Sequence, residues 1–222
     1  MHADPAGVAG TGRYVVWDCE TLRLSHEVRG GWRNVKDFGL AVAVTIDDRG
    51  VTQVWEEPDA RRLIDYLATF PRSVGFNSRS FDLTVLSAYG AVDHLHAAAL
   101  DLLEEIRRFT GPRRGLSLHN IARAMFGAGK SLADGTEAVR LWRTGRPADR
   151  ARVIEYCTHD VQLTRRILEF GQTYGYVLVP VPDVRHGEPP LAAQIPVTWG
   201  REATLTEGAR LVEPEVLDQR AP

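Results

Sequence analysis

Four acidic residues, each set in a short apolar context, constrain this chain more than any other feature. Asp18 and Glu20 follow the run Tyr14-Val15-Val16-Trp17, Asp82 precedes Leu83 and follows Phe81, and Asp160 lies between Tyr156-Cys157 and Val161. A carboxylate drawn into an apolar interior is costly unless something pairs with it. Several hard oxygen ligands gathered in one place are the usual setting for a divalent cation. A fold that accommodates all four must bring distant segments together.

The spacing says how. Asp18 and Glu20 are two apart on an expected strand, so they share a face, while Cys19 between them points into the core. Tyr156 and Asp160 are four apart on an expected helix and share a face there. If that helix face packs on the strand tip, three carboxylates converge, and Asp82 at the start of another helix supplies a fourth. Such a cluster of like charges is unstable without cations.

The rest of the chain reads as one α/β domain. Three strands are expected near residues 14–21, 35–47 and 51–57, the last two joined by an Asp47-Asp48-Arg49-Gly50 hairpin turn. Helices and strands then alternate: a helix over 58–70, a strand at 73–76, a helix over 80–90 and a strand within 96–103. Helices follow at 116–127, 133–145 and 147–175, the last with Pro147 at its start. The expected architecture is therefore a mixed central sheet, its first three strands antiparallel, followed by alternating helices and strands. Residues 1–12 read as a flexible N-terminal segment, 13–176 as the domain, and 177–222 as a Pro-rich C-terminal extension and tail.

At 222 residues and 44% hydrophobic, the chain can bury one substantial core. Its net charge of −2 excludes a global cation field, so nucleic-acid contact needs a local basic patch. The first residues show no secretory signal, and no apolar run reaches the roughly 20 residues of a membrane helix. A cytoplasmic protein is expected. Cys19 and Cys157 make neither a disulfide framework nor a zinc pattern and read as packed, reduced thiols.

Asp18-x-Glu20, Asn77-x-x-x-Phe81-Asp82 and Tyr156-x-x-x-Asp160, in that order, resemble the three exonuclease motifs of the DEDD superfamily. The tyrosine four before the last aspartate is similar to the DEDDy branch, which includes polymerase proofreading domains and ribonuclease D. The middle motif takes the form found in proofreading exonucleases of family B DNA polymerases. The resemblance implies a ribonuclease H-like fold and 3′-to-5′ hydrolysis of phosphodiester bonds with two divalent ions, Mg²⁺ or Mn²⁺. It implies Asp18, Glu20, Asp82 and Asp160 as metal ligands, with Tyr156 orienting the attacking water. The implied partner is a nucleic acid with a free 3′ end, single-stranded, with DNA favoured over RNA. A non-catalytic docking module, an RNA-specific exonuclease and an endonuclease on the same fold are the competing readings.

Substrate contacts are expected from Asn77 and Phe81, near the 3′-terminal nucleotide, although a turn role for Asn77 and a core role for Phe81 weigh equally. Arg107, Arg108, Arg113 and Arg114 form a basic run suited to phosphates; Lys130 and the Arg140/Arg143 pair are comparable candidates. His94-x-His96 on a strand is a weak chelating pattern, and His159 reads as a neighbour of the site. The five tryptophans read mostly as core or edge residues. Gly127-Ala128-Gly129-Lys130-Ser131 lacks the strand and glycine spacing of a nucleotide loop, so ATP binding is rejected.

Overall fold

The β-branched and aromatic run Tyr14–Thr21 forms β1, the middle strand of a five-stranded sheet in a computed structural model that describes residues 12–112, 114–127, 135–181 and 192–199. Leu40–Asp47 (β2) pairs antiparallel with β1, and Thr52–Glu56 (β3) pairs antiparallel with β2. On the other side of β1, Arg72–Gly75 (β4) runs parallel to it, and Ala99–Asp101 (β5) runs parallel to β4. The order β3-β2-β1-β4-β5 is the mixed α/β sheet expected from the sequence.

Period-two alternation along β1 divides the interior into two layers. Val15, Trp17 and Cys19 face one core with Ala60–Ala68 (α1), Asp82–Leu86 (α2) and Leu95 of Asp93–Ala98 (α3). Tyr14 and Val16 face the other, built on Leu102–Thr110 (α4), Leu118–Phe126 (α5) and Pro147–Tyr174 (α7). Gly135–Arg143 (α6) lies against α7, sharing a smaller cluster of Val42, Trp142, Val153 and Tyr156.

α7 is 28 residues long and buries Val153, Tyr156, Cys157, Asp160, Val161 and Thr164 at three- and four-residue steps. Pro147 occupies its first turn, and Gly175 ends it in the left-handed conformation, donating its N–H to the Gly171 carbonyl. Tyr176–Pro180 (β6) and Ala192–Pro196 (β7) then form an antiparallel pair whose Val177, Val179 and Ile195 join the core of α5 and α7. The long loop between β1 and β2 is not featureless: it winds through three 3₁₀ turns, Ser25–Glu27, Gly31–Arg33 and Val35–Phe38. His94 and His96 lie on α3 rather than on a strand, because the chain stays helical until Ala98. Among the described residues, no helix is long and apolar enough to cross a membrane.

Candidate active site

The site lies where β1 runs out. Asp18 and Glu20 continue the face set by Tyr14 and Val16, with Asp18 opposite Val44 and Glu20 opposite Val42 of β2. The register shifts between Glu20 and Thr21, a bulge that bends the strand end where its side chains leave the sheet. β4 is shorter than β1, so the segment after Gly75 turns across the end of β1. Gly75 is required there: a Cβ at that position would stand 2.5 Å from the Ser78 Cβ and 3.3 Å from the Trp17 carbonyl. Asn77 takes a left-handed φ of 68°. The turn delivers Asp82, whose Oδ1 accepts the Cys19 N–H at 3.0 Å, between the two acidic residues of β1.

α7 closes the site from the other layer. The Cys157 thiol donates to the Asp18 carbonyl at 3.4 Å and lies 3.9 Å from Asp18 Oδ2, which seats the helix directly on β1. Three residues later, Asp160 lines the same 380 Å³ cavity as Asp18 and Glu20. Burial, then repulsion from Asp82, Asp160 and Glu20, pushes Asp18 well above the usual carboxylate range. Burial and the charges of Asp160 and Asp82 do the same to Glu20. Burial raises Asp82 to about 7, against the opposing pull of the Cys19 hydrogen bonds. Burial and the nearby carboxylates of Asp160, Glu20 and Asp18 drive the Tyr156 hydroxyl far up, so it stays protonated. Cys19 and Cys157 are both free and buried, their thiols pushed up by desolvation and adjacent acids.

The carboxylates are hard oxygen donors, buried or half-buried and, among the described residues, poorly supplied with hydrogen-bond donors, so the set fits divalent cations. A second group of possible ligand atoms shares Asp160 with them. His119, from α5, places Nε2 3.1 Å from Asp160 Oδ1, and His159 Nδ1 is 3.8 Å from the same oxygen. The His119 ring is stacked parallel to Tyr156 with centroids 6.2 Å apart. No motif around His119 marks it in the sequence. Only the fold of α5 against α7 brings it here.

The same cavity also has an aromatic lining. Trp32, Phe38 and Phe81 line it, with ring centroids 5.4 Å (Trp32–Phe38), 6.1 Å (Trp32–Phe81) and 6.2 Å (Phe38–Phe81) apart. Trp17, Trp55, Trp142 and Trp199 are buried, as expected of most of the tryptophans, whereas Trp32 is 69% exposed on its 3₁₀ turn. Arg143 also departs from its phosphate-binding expectation. Its guanidinium grips Glu27 at 2.7 and 2.6 Å and donates to the Leu22 carbonyl, strapping α6 to the loop that bears Trp32. That pair holds the Glu27 carboxyl well below the usual range.

The other expected substrate residues are more dispersed. Phe81 is on the aromatic wall, but Asn77 lines an adjacent 330 Å³ cleft with Arg79, Ser80, His96, Asp101, Glu104 and Arg107. The Asn77 backbone N–H donates to Asp101, and its side-chain oxygen accepts the Ser80 hydroxyl, so it acts in the turn. Arg108 pairs with Glu105 within α4, and Arg114 is exposed. Arg113 and Lys130 lie outside the described residues.

A family model described as RNase_H superfamily matches residues 31–170, and the chain belongs to that superfamily. The matched segment includes Asp82, Tyr156 and Asp160 but begins after Asp18 and Glu20. Among solved structures, the chain is similar to the family B DNA polymerase from the hyperthermophilic archaeon Pyrobaculum calidifontis, with a TM-score of 0.57 and 19% identity. The likeness covers 75% of this chain but only 25% of that polymerase, and at this identity it is one of fold. No curated protein sequence matches the chain. Fold and superfamily together define a ribonuclease H-like protein.

Proposed function

We propose that this protein is a 3′-to-5′ exonuclease of the DEDDy type, hydrolysing single-stranded nucleic acid from a free 3′ end, with DNA favoured over RNA. The observation that carries the reading is that Asp18, Glu20 and Asp160 line one cavity together with the aromatic group of Trp32, Phe38 and Phe81. The acids suit a phosphodiester bound with cations. The aromatic faces suit an unpaired base, since stacking needs no particular sequence.

Two divalent ions, Mg²⁺ or Mn²⁺, held by Asp18, Glu20, Asp82 and Asp160, would supply an activated water and stabilise the departing 3′ oxygen. Tyr156 keeps its proton, because burial and the surrounding carboxylates disfavour the phenolate. Its hydroxyl therefore orients the attacking water as a neutral group and is not a base. Asp82 is held through Oδ1 by the Cys19 N–H, close enough for its charge to act on Asp18 and Glu20. Phe81 and Trp32 hold the terminal base, and exposed Arg107, with Arg108, Arg113, Arg114 and Lys130, guides the phosphates. Residues 13–176 form the nuclease unit, and the reduced state of Cys19 and Cys157 suits a cytoplasmic setting.

A 5′-labelled single-stranded DNA oligonucleotide and its RNA counterpart, incubated with Mn²⁺ and separately with chelator, test the reading. A ladder receding from the 3′ end, abolished by chelator, is expected. One internal cut would replace exonuclease with endonuclease, and binding without product would make the protein a docking module.

A further inference from the structure

We infer that His119, His159 and Asp160 form a separate binding site for a transition-metal ion of the Zn²⁺ class, beside the acidic cluster. Three atoms converge there: His119 Nε2, His159 Nδ1 and Asp160 Oδ1, all within 4.8 Å of one another. Each is sealed from solvent, and none makes an aligned hydrogen bond. The 3.1 Å approach of His119 to Asp160 is within ion-pair range but lacks hydrogen-bond alignment, so it does not satisfy either atom. Buried polar atoms are nearly always paired. Three unpaired ones facing a common point have a simple explanation in an ion between them.

The spacing suits that ion. Tetrahedral ligation with bonds of 2.0–2.2 Å puts neighbouring ligand atoms roughly 3.4 Å apart. The two contacts to Asp160 Oδ1, 3.1 and 3.8 Å, straddle that value, and the two imidazole nitrogens lie within 4.8 Å of each other. The donor set also selects the ion, because imidazole nitrogens favour Zn²⁺ and its neighbours whereas Mg²⁺ prefers oxygen. The site is held in place before any ion arrives. His119 stacks on Tyr156, and α5 is fixed by Ser117, whose hydroxyl caps the helix by accepting the Asn120 N–H. The His119 and Asp160 side chains are 10% and 9% exposed, while that of His159, at 31%, leaves a way in.

Only Oδ1 of Asp160 is used, so the second oxygen remains available to the acidic cluster. A cation here would also offset the repulsion that Asp160 exerts on Asp18 and Glu20. The inference rests on its own three atoms and stands or falls apart from nuclease activity.

The test is a Zn²⁺ titration of the metal-stripped full chain against a chromogenic chelator, in millimolar Mg²⁺. One Mg²⁺-resistant Zn²⁺ site is expected, weakened at least about tenfold by His119→Ala or His159→Ala. The double substitution His94→Ala/His96→Ala, on α3, should leave it unchanged. Should His119→Ala fail to fold, long-range ¹H–¹⁵N spectra of the wild-type histidines give the same answer. Zn²⁺ should shift His119 Nε2 and His159 Nδ1 and leave the other rings in place. Displacement of Zn²⁺ by Mg²⁺, equal affinity in the histidine variants, or unmoved ring nitrogens would overturn the site.

Discussion

Two buried aspartates, one at a strand end and one on a helix, are provided for in opposite ways. Asp101, at the end of β5, accepts backbone N–H groups from Asn77, Arg79, Leu103 and Glu104 at 2.9–3.2 Å. It pins the turn after β4 and caps α4 at once, and needs no cation. Asp160, on α7, has one oxygen with no aligned partner, and Asp18 receives only a distant thiol. Burial is similar, since Asp101 is 4% and Asp160 6% exposed. What differs is the supply of donors. A carboxylate fed by backbone amides is structural, whereas one facing other carboxylates stores electrostatic free energy that only cations or protons release.

The sharpest way to break this contrast is to exchange the consequences. Asp160→Asn removes a charge and almost no volume. Oligonucleotide degradation in Mn²⁺ should fall at least about 100-fold, since several kcal/mol of transition-state stabilisation go with a metal ligand. The metal-free variant should melt no lower than the wild type. Asp101→Ala should do the reverse, costing about 3 kcal/mol in urea unfolding because several amides lose their acceptor together. That loss should be equal with and without Mn²⁺. If Asp101→Ala abolished cleavage at full stability, the distinction between the two aspartates would collapse.

Protons offer a gentler probe of the same difference. Asp82 is raised to about 7 in the folded chain, and Asp18 and Glu20 are also raised, so the metal-free native state binds protons that the unfolded chain releases. Stability from these groups is full below the ordinary carboxylate range and is lost as pH rises through about 7. Melting temperature of the metal-free protein should therefore fall between pH 5 and pH 8. Saturating Mn²⁺ should flatten or invert that slope. A metal-free protein whose stability rose steadily over this range would show that the acids are satisfied in some other way.

Much of this was legible in the chain because periodicity is local. The alternation through Tyr14–Thr21 gave both the middle strand and the shared face of Asp18 and Glu20. Four-residue spacing in α7 put Tyr156 and Asp160 together. The Asp-Arg-Gly turn announced the β2–β3 hairpin. Residues whose importance comes from tertiary approach were not legible. His119 reads as one polar residue on an amphipathic helix until α5 docks on α7. Arg143 looks like a free cation until the loop from β1 brings Glu27 to it. Asp101 is silent in the sequence because nothing in Ala99-Leu100-Asp101-Leu102 signals four amide donors, two of them from a turn more than 20 residues earlier.

Trp32 carries the smallest expected effect and separates the aromatic wall from the acidic one. At 69% exposure it contributes little to the core, so Trp32→Ala should shift the melting temperature only slightly. A stacked base is worth roughly 1–3 kcal/mol, and partial stacking at an exposed ring sits at the low end. Single-stranded oligonucleotide binding should weaken about fivefold, with Trp32→Phe retaining most of the affinity. The dependence of binding on salt should stay as it was, because no phosphate contact is lost. A changed salt slope at unchanged stacking strength would mean that the 3₁₀ turn serves the backbone path, leaving Phe81 alone against the base.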